Sequence, residues 1–489
     1  MSNYSVPKEI RELRPKGTTV KALSDRYYVY EYSSTKKKVL YADGSYKWKT
    51  FTKMGKCIGQ ITAADGFIPN GNSISNSEIT VLEYGGYALV HSFAGKTLQI
   101  LKETFNAADA NQIYAVASIF VVEGFTHMKN IGKIFGESFL SKWNQDVHVG
   151  YDALKTLYYE LGRHSEKISE FEQKLVDSSS RRIAIDGHVI ACTSSKNDLS
   201  AFGYKAAKIG TEQINWMCAY DIETNRPLTS QMFDGSVPDK TSIQAMFSRF
   251  QFRDTLFVAD RGFNTDADKK LMSGCGNSYI IPMVSGRKDY EFVYSRISFN
   301  KRRNFIYDKD GYSSLIYYQE ILNDGYRYIA YKDTTRASAE RQTYIKKITE
   351  GIKGYSEEKL EESEKDFGLF ILETSDMKKT AQNVFRDYKS RWKIETFYEY
   401  IDNSLDFNTL YQQDYCRMQG LGFIVHVAGM IYHDLRKVTD SKNLHLRDVM
   451  NELKGIKASK ERGRWVVRND TKHKRDICEQ LGLLLPRVL

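Results

Sequence analysis

The spacing of apolar and polar positions changes several times along the chain. Residues 18–61 alternate as strands do, in TTVKALSDRYYVYEYSS, KKKVLYAD and SYKWKTFTKMGKCIGQI. SSTKK and ADGS are the expected turns between them. Residues 84–177 switch to a helical period, with Gly and Asn at the breaks, and predict an all-α module. Residues 181–286 mix the two periods. RRIAIDGHVIAC reads as a strand, EQINWMCAYDIETNRPLTSQMFDG as a hairpin turning at Glu223–Pro227, and KTSIQAMFSRF as a helix. DTLFVAD then reads as a strand, TDADKKLMSG as a helix and SYIIPMV as a strand. Local pattern alone supports a mixed α/β fold there.

Residues 287–367 break that alternation. YEFVYSRISF, RNFIYD, GYSSLIYYQEI and GYRYIAYKD predict short aromatic strands, and a charged helical stretch follows. That is far longer than an ordinary loop and reads as a β-rich insertion. DFGLFILETS returns as a strand, and MKKTAQNVFRDYKSRWKIETFYEYIDNSL (377–405), free of Gly and Pro, predicts one long helix. Residues 417–437 predict a buried helix. Six segments result: a basic β-rich unit (1–75), an all-α module (76–180) and the first part of an α/β core (181–286). The insertion (287–367), the second part of the core (368–437) and a basic C-terminal tail (438–489) complete the chain.

At 489 residues, 41% of them apolar and 27% charged, the composition is that of a globular protein of more than one domain. The net charge of +10 permits a nucleic acid or an anionic membrane as partner, and its placement says more. Residues 1–75 carry 13 Lys/Arg against 6 Asp/Glu, and residues 454–475 carry 9 against 2. The excess charge therefore sits at the two ends. In the first, Lys36, Lys37 and Lys38, with Lys47, Lys49 and Lys53, alternate with Tyr and Trp, which suits a nucleic-acid surface. An ordinary solvated β-meander with lysine-blunted edges is the alternative. The six cysteines are scattered without a C-x2-C pair, which argues against structural zinc and for reduced thiols in a cytosolic protein. The N-terminus lacks the apolar stretch of a signal peptide, and the most apolar run, 421–432, is too short to span a bilayer.

On the 377–405 helix, Tyr388, Arg391, Glu395 and Asp402 fall at i, i+3, i+7 and i+14, on one face at about 100° per residue. Such a stripe suits a solvated helix face with i,i+4 pairs, and Arg391 an ion pair with Asp387 or Glu395. Upstream, two strand-like runs each deliver one acid, Asp186 and Asp260. Two strand carboxylates and one helix carboxylate suit a pair of divalent cations. Gly187 and His188 follow Asp186, and His188 reads as a strand-side residue rather than a ligand.

Taken together, these residues resemble the DDE transposases of bacterial insertion sequences, in the branch with a Y-x2-R-x3-E-x6-K signature. Tyr388, Arg391 and Glu395 match the signature's spacing, and Asp402 stands where its Lys would be. VADRGF is similar to the family's second-Asp motif, and FGYKAAKIGTEQINWMCAYDIETNRPLTSQMFDGSVPD to the stretch after the first Asp. The resemblance implies an RNase H-like mixed-sheet catalytic core interrupted by a β-rich insertion. It implies that Asp186, Asp260 and Glu395 are catalytic and hold two Mg²⁺ ions, with Mn²⁺ as a possible substitute. Tyr388, Arg391 and Lys393 would join Lys36, Lys37 and Lys38 in contacting DNA. The implied partner is double-stranded DNA, both element ends and target, bound by a homodimer in the cytoplasm, associated with the nucleoid and away from membranes. A metal nuclease without strand transfer, and an inactive DNA-binding derivative, are the competing readings. Asp402 keeps the last of these open, unless a nearby cation such as Lys393 or Arg417 replaces the missing lysine.

Overall fold

The structure, a computed structural model, describes residues 6–23, 26–41, 45–63, 66–69, 81–192, 196–203, 210–309, 311–404, 412–461 and 463–489. The expected turn at ADGS, part of the stretch after Asp186 (204–209) and the last residue of the 377–405 run lie outside them. The chain forms two compact units, 1–80 and 81–489.

The first unit is a four-stranded antiparallel sheet of β1 (Thr18–Leu23), β2 (Arg26–Leu40), β3 (Tyr46–Thr62) and β4 (Gly66–Pro69), in that order. A short helix, Lys8–Glu12, places Ile10 with Val29 and Ile61 in a small core. SSTKK is not a turn. Residues 33–37 continue β2 and pair with Lys49–Lys53 of β3, so the ladder overrides the turn-like composition.

The second unit is built on a nine-stranded mixed sheet. Its members are β6 (Arg182–Cys192), β7 (Glu212–Asp221), β8 (Arg226–Asp234), β9 (Leu256–Ala259), β10 (Ser278–Pro282), β11 (Asn304–Lys309), β12 (Tyr312–Asn323), β13 (Tyr326–Asp333) and β14 (Leu369–Thr374). Their order is β11-β12-β13-β14-β10-β9-β6-β7-β8. β6, β9 and β10 run parallel, and their apolar runs, such as Ile183–Ala184–Ile185 and Phe257–Val258–Ala259, are fully buried, as strands covered on both faces require. The 287–367 segment does not stand apart from the core. β13 pairs antiparallel with β14, so β11–β13 extend the core sheet itself. The expected strand YEFVYSRISF is instead a helix over Lys288–Tyr294. Asp289 and Glu291 favour its N-terminal turn, and Tyr290 stacks on Tyr294 one turn later, so helical spacing wins over aromatic β-propensity.

Helices Gly85–Phe93, Gly95–Lys102, Ala107–Glu123, Met128–Glu137, Tyr151–Arg163 and Ser165–Asp177 follow one another in a helical layer. It wraps the long helix Tyr415–Asp440, most of which is buried. Gly162 and Gly420 let two helix backbones touch: a Cβ on either would collide with Cys416 O or Tyr158 O. The basic C-terminal stretch folds as well. β15 (Lys457–Glu461) pairs with β16 (Arg464–Arg468) and with β5 (Val81–Glu83), and helices Leu446–Leu453 and Lys472–Leu481 flank them. Among its cations, Lys454 pairs with Glu123, Lys457 with Glu83, Arg468 with Glu461 and Arg475 with Asp470. "Tail" is therefore the wrong description, and intramolecular partners take part of its charge.

Buried polar groups tie the layers together. In the sheet centre, Glu373 accepts from Lys269 Nζ and Tyr279 Oη, each at 2.7 Å. Glu172, from the Ser165–Asp177 helix, accepts from Ser230 N of β8 at 2.9 Å, with Arg249 3.8 Å away. Burial dominates its titration and lifts its pKa to about 8, against the opposing pull of Arg249 and the Ser230 N–H. A carboxyl whose folded pKa lies above its unfolded one costs stability as pH rises between the two values. Glu172→Gln removes that titration. The stability of the variant relative to wild type, from urea melts, is expected to rise steadily as pH increases from about 4.5 to about 8. A difference that stays flat over that range would contradict the buried-acid assignment.

Candidate active site

Asp186 and Asp260 come together through strand register. β6 and β9 are parallel neighbours whose ladder ends at Ile185 opposite Ala259, so the next residue on each strand is the aspartate. Both carboxylates thus leave the carboxyl end of a parallel ladder, where open α/β sheets commonly bind ligands. Asp186 Oδ1 also accepts from the N–H of Gly187 at 2.9 Å, which fixes its rotamer. Asp260 directly precedes a short 3-10 turn, Arg261–Phe263, and its side chain makes no capping bond to it.

The third carboxylate arrives on a broken helix. Residues 381–390 are α-helical, 393–399 are α-helical again, and 400–404 are wound as a π-helix. Between them the bonds Arg391 N→Tyr388 O, Ile394 N→Arg391 O and Glu395 N→Trp392 O are of the tighter i to i−3 kind. The uniform 100° face expected over 377–405 is therefore wrong, because the turn tightens at Arg391 and loosens at Tyr400. Asp387, buried on this helix, pairs with Arg182 of β6 and with Lys379 at 2.6 Å, so the helix is clamped to the strand that carries Asp186. Asp387 is thereby not the partner of Arg391.

Arg391 is the hub. Its Nη1 lies 3.5 Å from Asp186 Oδ2 and its Nη2 3.0 Å from Glu395 Oε1. Burial alone would lower its pKa, but Asp186, Asp260, Tyr388 and Glu395 outweigh that and raise it. Tyr388 feels the charges of both Arg391 and Asp260. Its hydroxyl pKa is raised, chiefly by burial and also by Asp260, with Arg391 opposing. All three carboxylates are therefore within electrostatic reach of one guanidinium. The Lys393 ammonium donates to Ile222 O in the β7–β8 turn at 2.6 Å. A cavity of about 600 Å³ opens beside this cluster, lined by Tyr388, Lys389, Arg391 and Trp392 and, from the β11–β13 side, by Tyr307, Lys309, Tyr312 and Arg336.

Two further residues were not singled out by sequence reasoning as a unit with Asp186. Tyr398 donates its hydroxyl to Asp186 O at 2.8 Å and stacks on His188 with centroids 4.5 Å apart. His188 in turn meets Asp402, Nε2 to Oδ1, at 3.0 Å. Tyr398 lies three residues beyond Glu395 on the same helix, but nothing in the sequence ties it to a strand. Asp402, in place of a lysine, is thus the partner of a histidine two residues beyond Asp186.

Residues 177–413 match the family model described as a transposase DDE domain. The matched segment contains Asp186, Asp260 and Glu395 and spans β11–β13 as well. No curated protein matches the chain. Among solved structures, the chain is similar to the piggyBac transposase in a cryo-EM synaptic complex with hairpin DNA. The TM-score is 0.40 and the identity 10%, over 75% of this chain and 77% of that one.

Asp402→Lys sets an ammonium against the His188 ring and removes an acceptor. Thermal denaturation is expected to show a loss of about 1 kcal/mol, and DNA-binding assays no gain in affinity. Asp402→Asn, which can keep the bond, is expected to stay near wild type. A several-fold gain of DNA cleavage or binding in Asp402→Lys would mean that the acid is a defect of the site.

Proposed function

We propose that the chain is a DNA transposase that binds the terminal inverted repeats of its own element, cleaves there and joins the ends to target DNA. The observation that carries this reading is the convergence of Asp186, Asp260 and Glu395 on Arg391, inside the segment matched by the transposase DDE model. In this reading the parallel strands β6, β9 and β10 with the β7–β8 hairpin are an RNase H-like core, and β11–β13 are its insertion. The chain acts as a homodimer on double-stranded DNA, in the cytoplasm and associated with the nucleoid. No helix among the described residues is long and apolar enough to cross a membrane.

The donor chemistry fits hard divalent cations, since carboxylate oxygens are what Mg²⁺ or Mn²⁺ prefers. Two of the side chains are partly open to solvent, Asp186 at 24% and Glu395 at 49%. Among the described residues no three His, Cys, Asp or Glu side chains are already gathered as ligands of one ion, and Arg391 holds Asp186 and Glu395 instead. Asp186, Asp260 and Glu395 would hold the ions, and a bound pair would stabilise the attacking and leaving oxygens of phosphodiester transfer. Arg391 keeps the carboxylates together and presents a planar cation suited to a DNA phosphate. Tyr388 orients Arg391, and Tyr398 and His188 brace the strand that carries Asp186. The cationic and aromatic lining of the adjoining cavity suits nucleotides next to the reacting phosphate. Of the Lys36–Lys38 triplet, Lys37 adds a phosphate contact from the N-terminal unit, while Lys393 donates to the Ile222 carbonyl.

Asp186→Asn, Asp260→Asn and Glu395→Gln are each expected to abolish Mg²⁺-dependent cleavage of element-end DNA, with duplex binding and melting temperature retained. Loss of one metal ligand is worth several kcal/mol in the transition state. Near-wild-type cleavage by any one variant removes that residue from the site. Cleavage by the wild type without joined products would favour a metal nuclease over a transposase.

A further inference from the structure

Beyond the paired edges of the N-terminal sheet, β2 and β3 run on as a two-stranded ribbon. β1 pairs with β2 only over Arg26–Glu31, and β4 with β3 only over Gly59–Thr62. Residues 33–40 and 46–53 therefore pair with each other and, among the described residues, with no third strand. At about 3.4 Å per residue this ribbon is roughly 27 Å long. Neither run contains an acidic residue.

The register assigns each side chain to a face. Lys37 lies opposite Lys49, Val39 opposite Lys47 and Ser33 opposite Lys53, so Lys37, Lys47, Lys49 and Lys53 share one face. Lys36 and Lys38 share the other, opposite Thr50 and Trp48, and there Lys38 lies over the Trp48 ring at 5.7 Å. The contiguous triplet Lys36–Lys37–Lys38 is therefore split between the two faces. Like charges directly opposite each other, as Lys37 and Lys49 are, destabilise a ribbon unless an anion relieves them.

We infer that the Lys37/Lys47/Lys49/Lys53 face of this ribbon is a DNA-docking arm that lies along the major groove of a duplex. This deepens the transposase reading and rests on it. A major groove of about 12 Å admits a two-stranded ribbon, and a ribbon of this length follows the groove for most of a helical turn. The four lysines meet the phosphates and the acceptor-rich guanine edges. The Trp48 face, with Tyr46, is turned away from the DNA.

The test is the salt dependence of duplex binding by the full chain, followed by fluorescence anisotropy on a labelled duplex of about 40 base pairs, long enough for several phosphate contacts. Lys37→Gln/Lys47→Gln/Lys49→Gln/Lys53→Gln is compared with Lys36→Gln/Lys38→Gln, with circular dichroism as the check on folding. Each phosphate contact contributes about 0.9 to the slope of log affinity against log salt. The quadruple variant is expected to flatten that slope by two or more, roughly. The double variant is expected to change it by less than about one. An unchanged slope in the quadruple variant, or an equal loss per lysine from both faces, overturns the assignment. So does lysine-dependent binding to phosphatidylserine vesicles without binding to duplex. A wild-type chain that binds no duplex at all would instead remove the transposase reading itself; wild-type binding with a slope the quadruple variant leaves intact removes only the arm.

Discussion

One guanidinium organises the candidate site. Asp186, Asp260 and Glu395 come from two strands and a helix, and like charges brought that close repel unless a cation sits among them. Arg391 supplies it, 3.5 Å from Asp186 and 3.0 Å from Glu395, with Asp260 close enough to raise its pKa. The surrounding structure serves that placement. The parallel register of β6 and β9 sets the two aspartates side by side. The Asp387–Arg182–Lys379 cluster clamps the helix onto β6, and across the tightened turn at 391–395 Arg391 reaches both Glu395 and Asp186.

Much of this was legible in the sequence where local pattern and tertiary structure agree. The runs RRIAID and DTLFVAD are apolar and β-branched because the sheet is covered on both faces, and each ends at its acid. The β7–β8 hairpin turns where expected, with Asn225 taking the left-handed conformation at φ 57. The failures share a cause: contacts distant in sequence decide the local structure. SSTKK looks like a turn until the β3 ladder pairs it. YEFVYSRISF looks like a strand until Tyr290 and Tyr294 stack one helical turn apart. That the β11–β13 insertion extends the core sheet had no local cue either, because nothing local says that β13 will find β14. The helix at 377–405 carries no Gly or Pro, so its break had no composition cue.

Asp402 shows how a departure from a family pattern acquires a physical reason. By sequence alone, a carboxylate at a position where the resembled signature has a lysine reads as a defect. In the fold it lies on the π-wound segment, 3.0 Å from His188, whose ring stacks on Tyr398, which in turn holds the backbone of Asp186. The position therefore braces the strand of the first carboxylate. Lys393 donates to Ile222 O, and the cations that line the cavity beside the site are Arg336, Lys389 and Arg391.

The three carboxylates around Arg391 are proposed as a metal site. Anomalous diffraction from crystals soaked in Mn²⁺ tests it most directly, because it locates the ion without relying on activity. A manganese peak flanked by Asp186 and Asp260, lost in Asp186→Asn, is expected. A peak elsewhere on the molecule, or none at saturating Mn²⁺ with the Arg391 ion pairs intact, would contradict it.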